Sequence, residues 1–448
     1  MSERLLSVGL DVGTTSTQLV VSELLVENRA SGFAVPEMEI TQRKIRYRSP
    51  VYFTPLLEGN LVDGREIRSI VEQEYRKAGI SREQVDTGAI IITGETSRKE
   101  NAGAVLSALA ELAGDFVVAT AGPDLESVLA ARGAGAVEYS AQTGKTVLHM
   151  DIGGGTSNLA LIRDGKCQQT GCLNVGGRLV KFSDAGAVTY LSTVLSGLVP
   201  MRLGEVPTKE QREILVQQLT QALEMAAGRR VQTDLLHRLL TEEAVQPWVP
   251  PKEEVVVSFS GGVADCIRED FSDLAFGDLG PELGRAIRGS SLCRGAYVLG
   301  AETIRATVIG AGCHSTQLSG STVYYQNIQF PIKNLPVVEV SDLSHIQNAL
   351  AAQEGRVVLS LAGKQSPSYR EIVQTAEKIL SQLKPPIVLC LQQDMAKALG
   401  QALAVRLPQN APILCIDRIR VGEGSFLDIG APVGSAMPVV VKTLVLSK

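Results

Sequence analysis

The sequence predicts an α/β protein: a duplicated α/β domain followed by an additional C-terminal α/β domain. Three features support this. An apolar strand, an Asp-x-Gly turn and a second apolar strand occur over residues 5–26 and again over 146–163. Apolar runs of strand length alternate with longer amphipathic stretches, the pattern of parallel strands joined by right-handed helical crossovers. The chain of 448 residues also exceeds one core, since domains usually hold roughly 100–200 residues.

Residues 5–10 and 17–26 read as strands joined at 11–16, with a third near 39–47, which makes an antiparallel opening. A helix near 65–78, a strand at 89–93, a helix at 101–112, a strand at 116–120 and a helix at 124–132 follow. The pattern restarts with strands at 146–150, 156–163 and 166–175, the last two joined by the Asp164-Gly165 turn. The two Asp-Gly turns are too far apart for a short solenoid repeat, so a duplicated domain explains them best. Helical periodicity dominates 208–240, Pro247 to Pro251 interrupts it, 255–259 is a strand of buried type, and a helix is expected over 292–307. Beyond Gly310, strands at 357–362, 387–391, 413–416 and 439–446 alternate with helices around 341–352, 369–383 and 394–404. The expected domains are 1–143, 144–309 and 310–448.

Composition narrows the function classes. Charged residues make up 20%, aromatics 4%, and the net charge is −5, so neither a nucleic-acid footprint nor a base-stacking surface stands out. A small molecule or a protein is the expected partner, with no nucleic acid and no membrane. Seven cysteines form no CxxC pair, which fits a reducing, cytoplasmic setting better than a disulfide framework. The first residues carry no secretory pattern, and no run reaches about 18 uninterrupted apolar residues, so export and membrane spanning are not expected.

The segment DVGTTST, beginning at Asp11, sets a carboxylate at a strand end, then Gly13 and the hydroxyls of Thr14, Thr15 and Ser16. A nucleotide phosphate needs these groups. Glycine lets the backbone approach, amides and hydroxyls donate to phosphate oxygens, and the acid holds Mg²⁺ through water. One such turn would be ordinary hairpin chemistry. The second copy, DIGGGTS from Asp151, with Gly153, Gly154, Gly155, Thr156 and Ser157, makes a pair of phosphate sites the better reading. A third segment, SGGVADCI, follows a buried-type strand, and Gly261 and Gly262 either start a helix or leave room for a base or ribose against the backbone. Glu95, after the strand in IIITGETSRKENA, is either a residue that orients an attacking water or an exposed loop carboxylate.

In this order and spacing the three segments resemble the ATP-binding motifs of the actin, Hsp70 and sugar-kinase superfamily. The resemblance implies two ribonuclease-H-like halves, as in actin-like ATPase domains, that clamp ATP and Mg²⁺. It places the first phosphate motif at 11–16, the second at 151–157, the adenosine motif at 260–264, and hinge-like connectors at 93–103 and 295–310. Asp11 and Asp151 become the metal-organising and catalytic carboxylates, with Glu95 beside them. Within the superfamily, TGETSRKENA, AGPDLESVLAARGAGA, LDIGAPVG and VVVKTLV, spread over nearly the whole chain, look like the reactivating proteins of ethanolamine ammonia-lyase. Such proteins are similar to the large subunit of diol dehydratase reactivase. The likeness implies an ATP-dependent chaperone that expels damaged adenosylcobalamin from its partner, ethanolamine ammonia-lyase. Association with a bacterial microcompartment and homo-oligomerisation stay open.

Several signals are set aside. YSAQTGKT ends like a P-loop, but Tyr139 stands where the first glycine is required. His149 lies in a buried-type strand, no HExxH or DxHxxG occurs, and Cys167 and Cys172 read as ordinary small residues. A kinase on the same fold would need an acceptor base, for which only Asp124 and Asp184 offer themselves, and an actin-like nucleotide-governed scaffold is the other alternative.

Overall fold

The computed structural model describes residues 2–13, 16–28, 38–57, 61–93, 117–120, 123–241, 247–300, 302–314, 316–319, 322–340, 342–343, 346–350, 356–419, 421, 425–432 and 437–443. The first sheet contains β1 (Ser2–Val12), β2 (Ser16–Asn28), β3 (Met38–Arg48), the two-residue β4 (Tyr52–Phe53), β5 (Thr87–Ile92) and β6 (Val117–Thr120). Its order is β3-β2-β1-β5-β6, with β1, β2 and β3 antiparallel, β5 and β6 parallel to β1, and β4 beside β2. Both faces of β1, β2 and β5 are largely buried, so alternate side chains serve different cores. Val8, Leu10, Val12, Ile90 and Ile92 pack with Ile67, Val71 and Tyr75 of helix α1 (Gly64–Ala78). Asp63 caps that helix by accepting from the Arg65 and Glu66 amides, and Gly79 ends it at φ 68°. Leu5, Val20, Leu24 and Val26 face the other way. The expected helix at 101–112 lies outside the described residues.

Helices α2 (Pro123–Gly133) and α3 (Ala136–Thr143) lead to the second sheet. The GKT sequence set aside above therefore follows a helix, whose C-cap is Gly144 at φ 66°. Strands β7 (Val147–Ile152), β8 (Ser157–Arg163) and β9 (Lys166–Leu173) are antiparallel. A small hairpin, β10 (Val180–Phe182) and β11 (Val188–Leu191), precedes helices α4 (Lys209–Ala226) and α5 (Asp234–Leu239). Then β12 (Val256–Ser260) runs parallel to β7, α6 (Gly262–Arg268) and α7 (Gly280–Gly289) follow, and β13 (Tyr297–Leu299) runs parallel to β12. The order β9-β8-β7-β12-β13 repeats that of the first sheet, strand for strand. The two halves are therefore the duplicated ribonuclease-H-like units.

The helix expected over 292–307 does not form. Tyr297–Leu299 instead supplies the fifth strand of the second sheet, after Gly295 turns the chain at φ 85°. Pairing with the buried β12 outweighs the local helical pattern, and helix α8 starts only at Ala306, ending at His314. The expected connector at 295–310 is thus a strand followed by a helix. Helices α2 and α8 cross in backbone contact. A Cβ on Gly133 would lie 1.8 Å from the Ala306 carbonyl oxygen, and one on Gly310 would lie 1.9 Å from that of Leu129. Each helix packs on the opposite unit, α8 on β1, β2 and β5, and α2 on β7, β8 and β9.

The third sheet contains β14 (Thr316–Leu318), β15 (Tyr324–Gln326), β16 (Ile332–Val340), β17 (Val358–Leu361), β18 (Ile387–Leu391), β19 (Ile413–Asp417), β20 (Ser425–Ile429) and β21 (Pro438–Thr443). Its order is β14-β21-β20-β16-β17-β18-β19-β15, parallel from β16 to β19 and antiparallel beyond. Helices α9 (Ile346–Leu350), α10 (Tyr369–Leu380) and α11 (Ala396–Ala404) cover one face, where Ile387, Leu389 and Leu391 point, while Val388 and Cys390 point to the other.

Candidate functional site

The two Asp-Gly hairpins close in the same way. The Gly13 amide donates to the Ser16 carbonyl, and the Gly153 amide to the Thr156 carbonyl, each at 2.9 Å. Asp11 pairs in register with Gln18, and Asp151 with Asn158, so the acids occupy equivalent positions. Both hairpins open onto one cavity of about 480 Å³ between the halves, a size typical of small-molecule sites, roughly 300–1,000 Å³. Asp11, Gly13, Ser16, Asp151, Gly153, Gly154, Gly155, Thr156, Gly261 and Gly262 all line it. Ser157 does not. Its buried hydroxyl donates to the Val175 carbonyl at 2.7 Å, which ties the strand start to the next loop. Thr14, Thr15 and Glu95 lie outside the described residues, as does most of the expected connector at 93–103.

Both carboxylates are costly to ionise. Asp11, 7% exposed, is pushed up to about 7, chiefly by burial, with the Thr93 hydroxyl at 3.0 Å opposing and the charge of Asp151 adding to the rise. Burial also raises Asp151, against hydrogen bonds from Ser260 at 2.5 Å and Thr307 at 3.3 Å. Behind Ser260 lies the fully buried His149, which contacts Ser260 at 2.9 Å and Ser258 at 3.1 Å and whose pKa burial pulls down to about 3. Ser260 gives its single proton to Asp151, so the neutral ring donates from Nε2 and accepts at Nδ1 from Ser258. The histidine thus orients the serine that orients the acid. It is not a metal ligand.

Two further observations bear on which ligands suit the cavity. Gln18, 3% exposed, donates from Nε2 to the Ile304 carbonyl at 2.9 Å, but its buried Oε1 has no partner among the described residues. Two buried carboxylates and an orphaned amide oxygen around one cavity suit a hydrated Mg²⁺, which is held by one or two carboxylates, waters and substrate phosphates. Among the described residues no three His, Cys, Asp or Glu side chains converge into a direct metal cage.

The glycines supply the second observation. None of Gly153, Gly155 and Gly262 has positive φ, and a Cβ on them would meet Thr156 O at 3.6 Å, nothing within 4 Å, and Ile304 Cδ1 at 3.8 Å respectively. Neither φ nor a close neighbour requires glycine at these three positions, and the space beside them is open to a ligand. Gly261 differs, because its φ of 85° and a would-be Cβ 2.2 Å from the Ile152 carbonyl oxygen make it a fold requirement. Gln18, Thr93 and Thr307 escaped sequence reading, since nothing local distinguishes them from neighbouring strand and helix residues.

A pH dependence follows from Asp11. Without a cation, the folded state keeps a proton that the unfolded chain releases from its ordinary value of 3.8 upward, so this group's contribution to stability falls as pH rises from about 4 to about 7. A cation must displace that proton. Mg²⁺-dependent ligand binding is expected to weaken about tenfold per unit below about pH 7, and calorimetry at pH 6, 7 and 8 checks it. A flat profile would remove Asp11 from the metal site.

Comparison with known proteins gives a consistent answer. The family model for ethanolamine utilisation protein EutA matches residues 3–447. Proteins from Salmonella typhimurium and Escherichia coli, both named ethanolamine ammonia-lyase reactivase EutA, are each 38% identical over 475 residues, covering 99% of this chain and 99% of theirs. Among solved structures, a Ppx/GppA family member from Aquifex aeolicus is 16% identical, covers 60% of this chain and 69% of its own, and has a TM-score of 0.37. No helix of the described residues is long and apolar enough to cross a membrane.

Proposed function

We propose, since this chain belongs to the ethanolamine utilisation protein EutA family, that it is an ATP-dependent reactivating factor for ethanolamine ammonia-lyase. In this reading it binds ATP and Mg²⁺ between its two halves and helps the lyase release damaged cobalamin so that intact adenosylcobalamin can rebind. The observation that carries the nucleotide part is the pair of equivalent Asp hairpins facing one cavity, with glycines that the fold itself does not require.

Asp11 and Asp151 would hold the hydrated Mg²⁺, and Gln18 Oε1, unpartnered among the described residues, would be free to accept from a bound water. Amides of the two hairpins and the Ser16 and Thr156 hydroxyls receive the phosphates, and the open space at Gly262 receives the nucleoside. When bound, Mg²⁺ screens the phosphate charge and polarises the terminal phosphoryl group. Thr93, Ser260 and Thr307 fix the two carboxylates, so their orientation is set before the nucleotide arrives. The units meet at the crossing of α2 and α8, so a nucleotide that binds one jaw position better than another moves the surface offered to the lyase. The kinase alternative is weaker because Asp124 accepts from Thr170 and neither it nor Asp184 lines the cavity. A cytoplasmic or microcompartment setting follows from that of the lyase.

The test is recovery of lyase activity after inactivation, measured with this protein and Mg²⁺ plus ATP, plus a non-hydrolysable analogue, or with neither. Recovery that needs ATP supports the reading. No recovery under any condition overturns it. A phosphorylated small molecule would favour a kinase, and nucleotide-dependent sedimentation a scaffold.

A further inference from the structure

The charge around the cavity is unbalanced. Six carboxylates line it, those of Asp11, Glu126, Asp151, Asp265, Glu269 and Asp278, against one cation among the described residues, Arg178. A nucleoside triphosphate brings still more negative charge. Its phosphate tail therefore needs every positive group within reach.

Arg178 is placed to serve both jaws. Its backbone amide donates to the Gly154 carbonyl at 2.6 Å, so the residue is anchored on the second phosphate hairpin. Its guanidinium carbon lies 5.7 Å from the centre of the Phe53 ring in the opposite half. Phe53 in turn pairs in register with Ser16 of the first hairpin and is 80% exposed. The side chain thus runs from one phosphate hairpin towards the other. Of its five donors only Nε is used, on Asp278 at 2.9 Å, and its terminal N–H groups make no hydrogen bond among the described residues. Asp278 is itself held by the Gly280 amide at 2.8 Å, so its carboxylate fixes the arginine's orientation.

We infer that Arg178 is the residue that distinguishes nucleoside triphosphate from diphosphate, and that its stacking on Phe53 passes that distinction to jaw closure. The inference rests on the nucleotide reading above. Asp278 grips Nε and leaves the flat outer edge of the guanidinium free, the edge that matches two phosphate oxygens. The exposed Phe53 ring gives the cation a surface that exists only while the jaws are near each other, a contact that tightens as water is excluded.

Calorimetric binding of Mg²⁺ with ATP and with ADP, on wild type, Arg178→Ala, Arg178→Lys and Phe53→Ala, tests this. Arg178→Ala is expected to weaken ATP binding roughly 10- to 100-fold and ADP binding less than about threefold. Arg178→Lys keeps the charge and the tether to Asp278, which guards against misfolding, and should recover only part of the loss because a point charge lacks the fork. Phe53→Ala should abolish ATP-induced compaction in small-angle scattering and, because closure and binding are reciprocally coupled, weaken ATP binding by less than Arg178→Ala does while leaving ADP binding unchanged. Equal losses for both nucleotides, or none, with wild type binding both, overturn the inference and leave the nucleotide reading intact. Wild type binding neither nucleotide overturns that reading itself.

Discussion

Asp11→Asn is expected to lower Mg²⁺-dependent ATP hydrolysis by roughly 10²- to 10³-fold, the scale of losing metal-borne stabilisation of several kcal/mol, while the apo protein becomes no less stable. The second half of that expectation makes the first informative. Asparagine keeps an oxygen to accept the Thr93 hydroxyl at 3.0 Å, so the local geometry survives. It also removes a charge that burial and Asp151 make expensive, the reason the Asp11 carboxyl sits near 7 rather than 3.8. At pH 8, where the native acid is forced to ionise, the unfolding temperature of the ligand-free variant should equal or exceed that of the wild type. Added Mg²⁺ and ATP should raise the melting temperature of the wild type but not of the variant. A variant that unfolds early, or that hydrolyses ATP at the native rate, would show that Asp11 is structural.

The paired hairpins were legible because their signal is local. A strand of alternating apolar residues must stop and turn, and when it does so twice with acid, glycine and hydroxyl in the same order, the turn chemistry is written in adjacent residues. The duplication followed from those turns, and the identical order of the two sheets is its structural counterpart. What sequence missed depends on partners far along the chain. Tyr297–Leu299 is a strand only because β12 presents an open edge to it, so helical periodicity was the wrong guide to 292–307. Strand β16 contains Pro336, which removes an amide and hid the strand at the seam between the parallel and antiparallel parts of its sheet. Helix α7 carries a local start mark, Pro281 in its first turn. In the candidate site, Gln18 matters only because Ile304 takes its amide and leaves its oxygen unmatched. Nothing local marks Arg178, whose contacts with Phe53 and Asp278 arise from tertiary packing alone.

Glycine substitutions separate the ligand's requirements from those of the fold. Gly155→Val should leave the unfolding temperature within a few degrees of wild type, because its Cβ would meet nothing within 4 Å and its φ is not positive. The same side chain would fill the space through which phosphates reach the hairpin amides, so ATP affinity should fall roughly 100-fold or more, with Gly155→Ala intermediate. Gly261→Ala makes the opposite prediction. There the added carbon would sit 2.2 Å from the Ile152 carbonyl oxygen on a residue with φ of 85°, so the start of α6 must move and stability should drop before binding is considered. Thermal unfolding and calorimetry on the same preparations read both effects. Full ATP affinity in Gly155→Val would mean that the open space beside the second hairpin is not where phosphates lie. Loss of fold in that variant would mean that its glycine serves packing after all. The expected result, intact folding with lost binding at Gly155 and strained folding at Gly261, would show that the glycine-rich turn owes its composition to a ligand and the glycine beside β7 to the backbone.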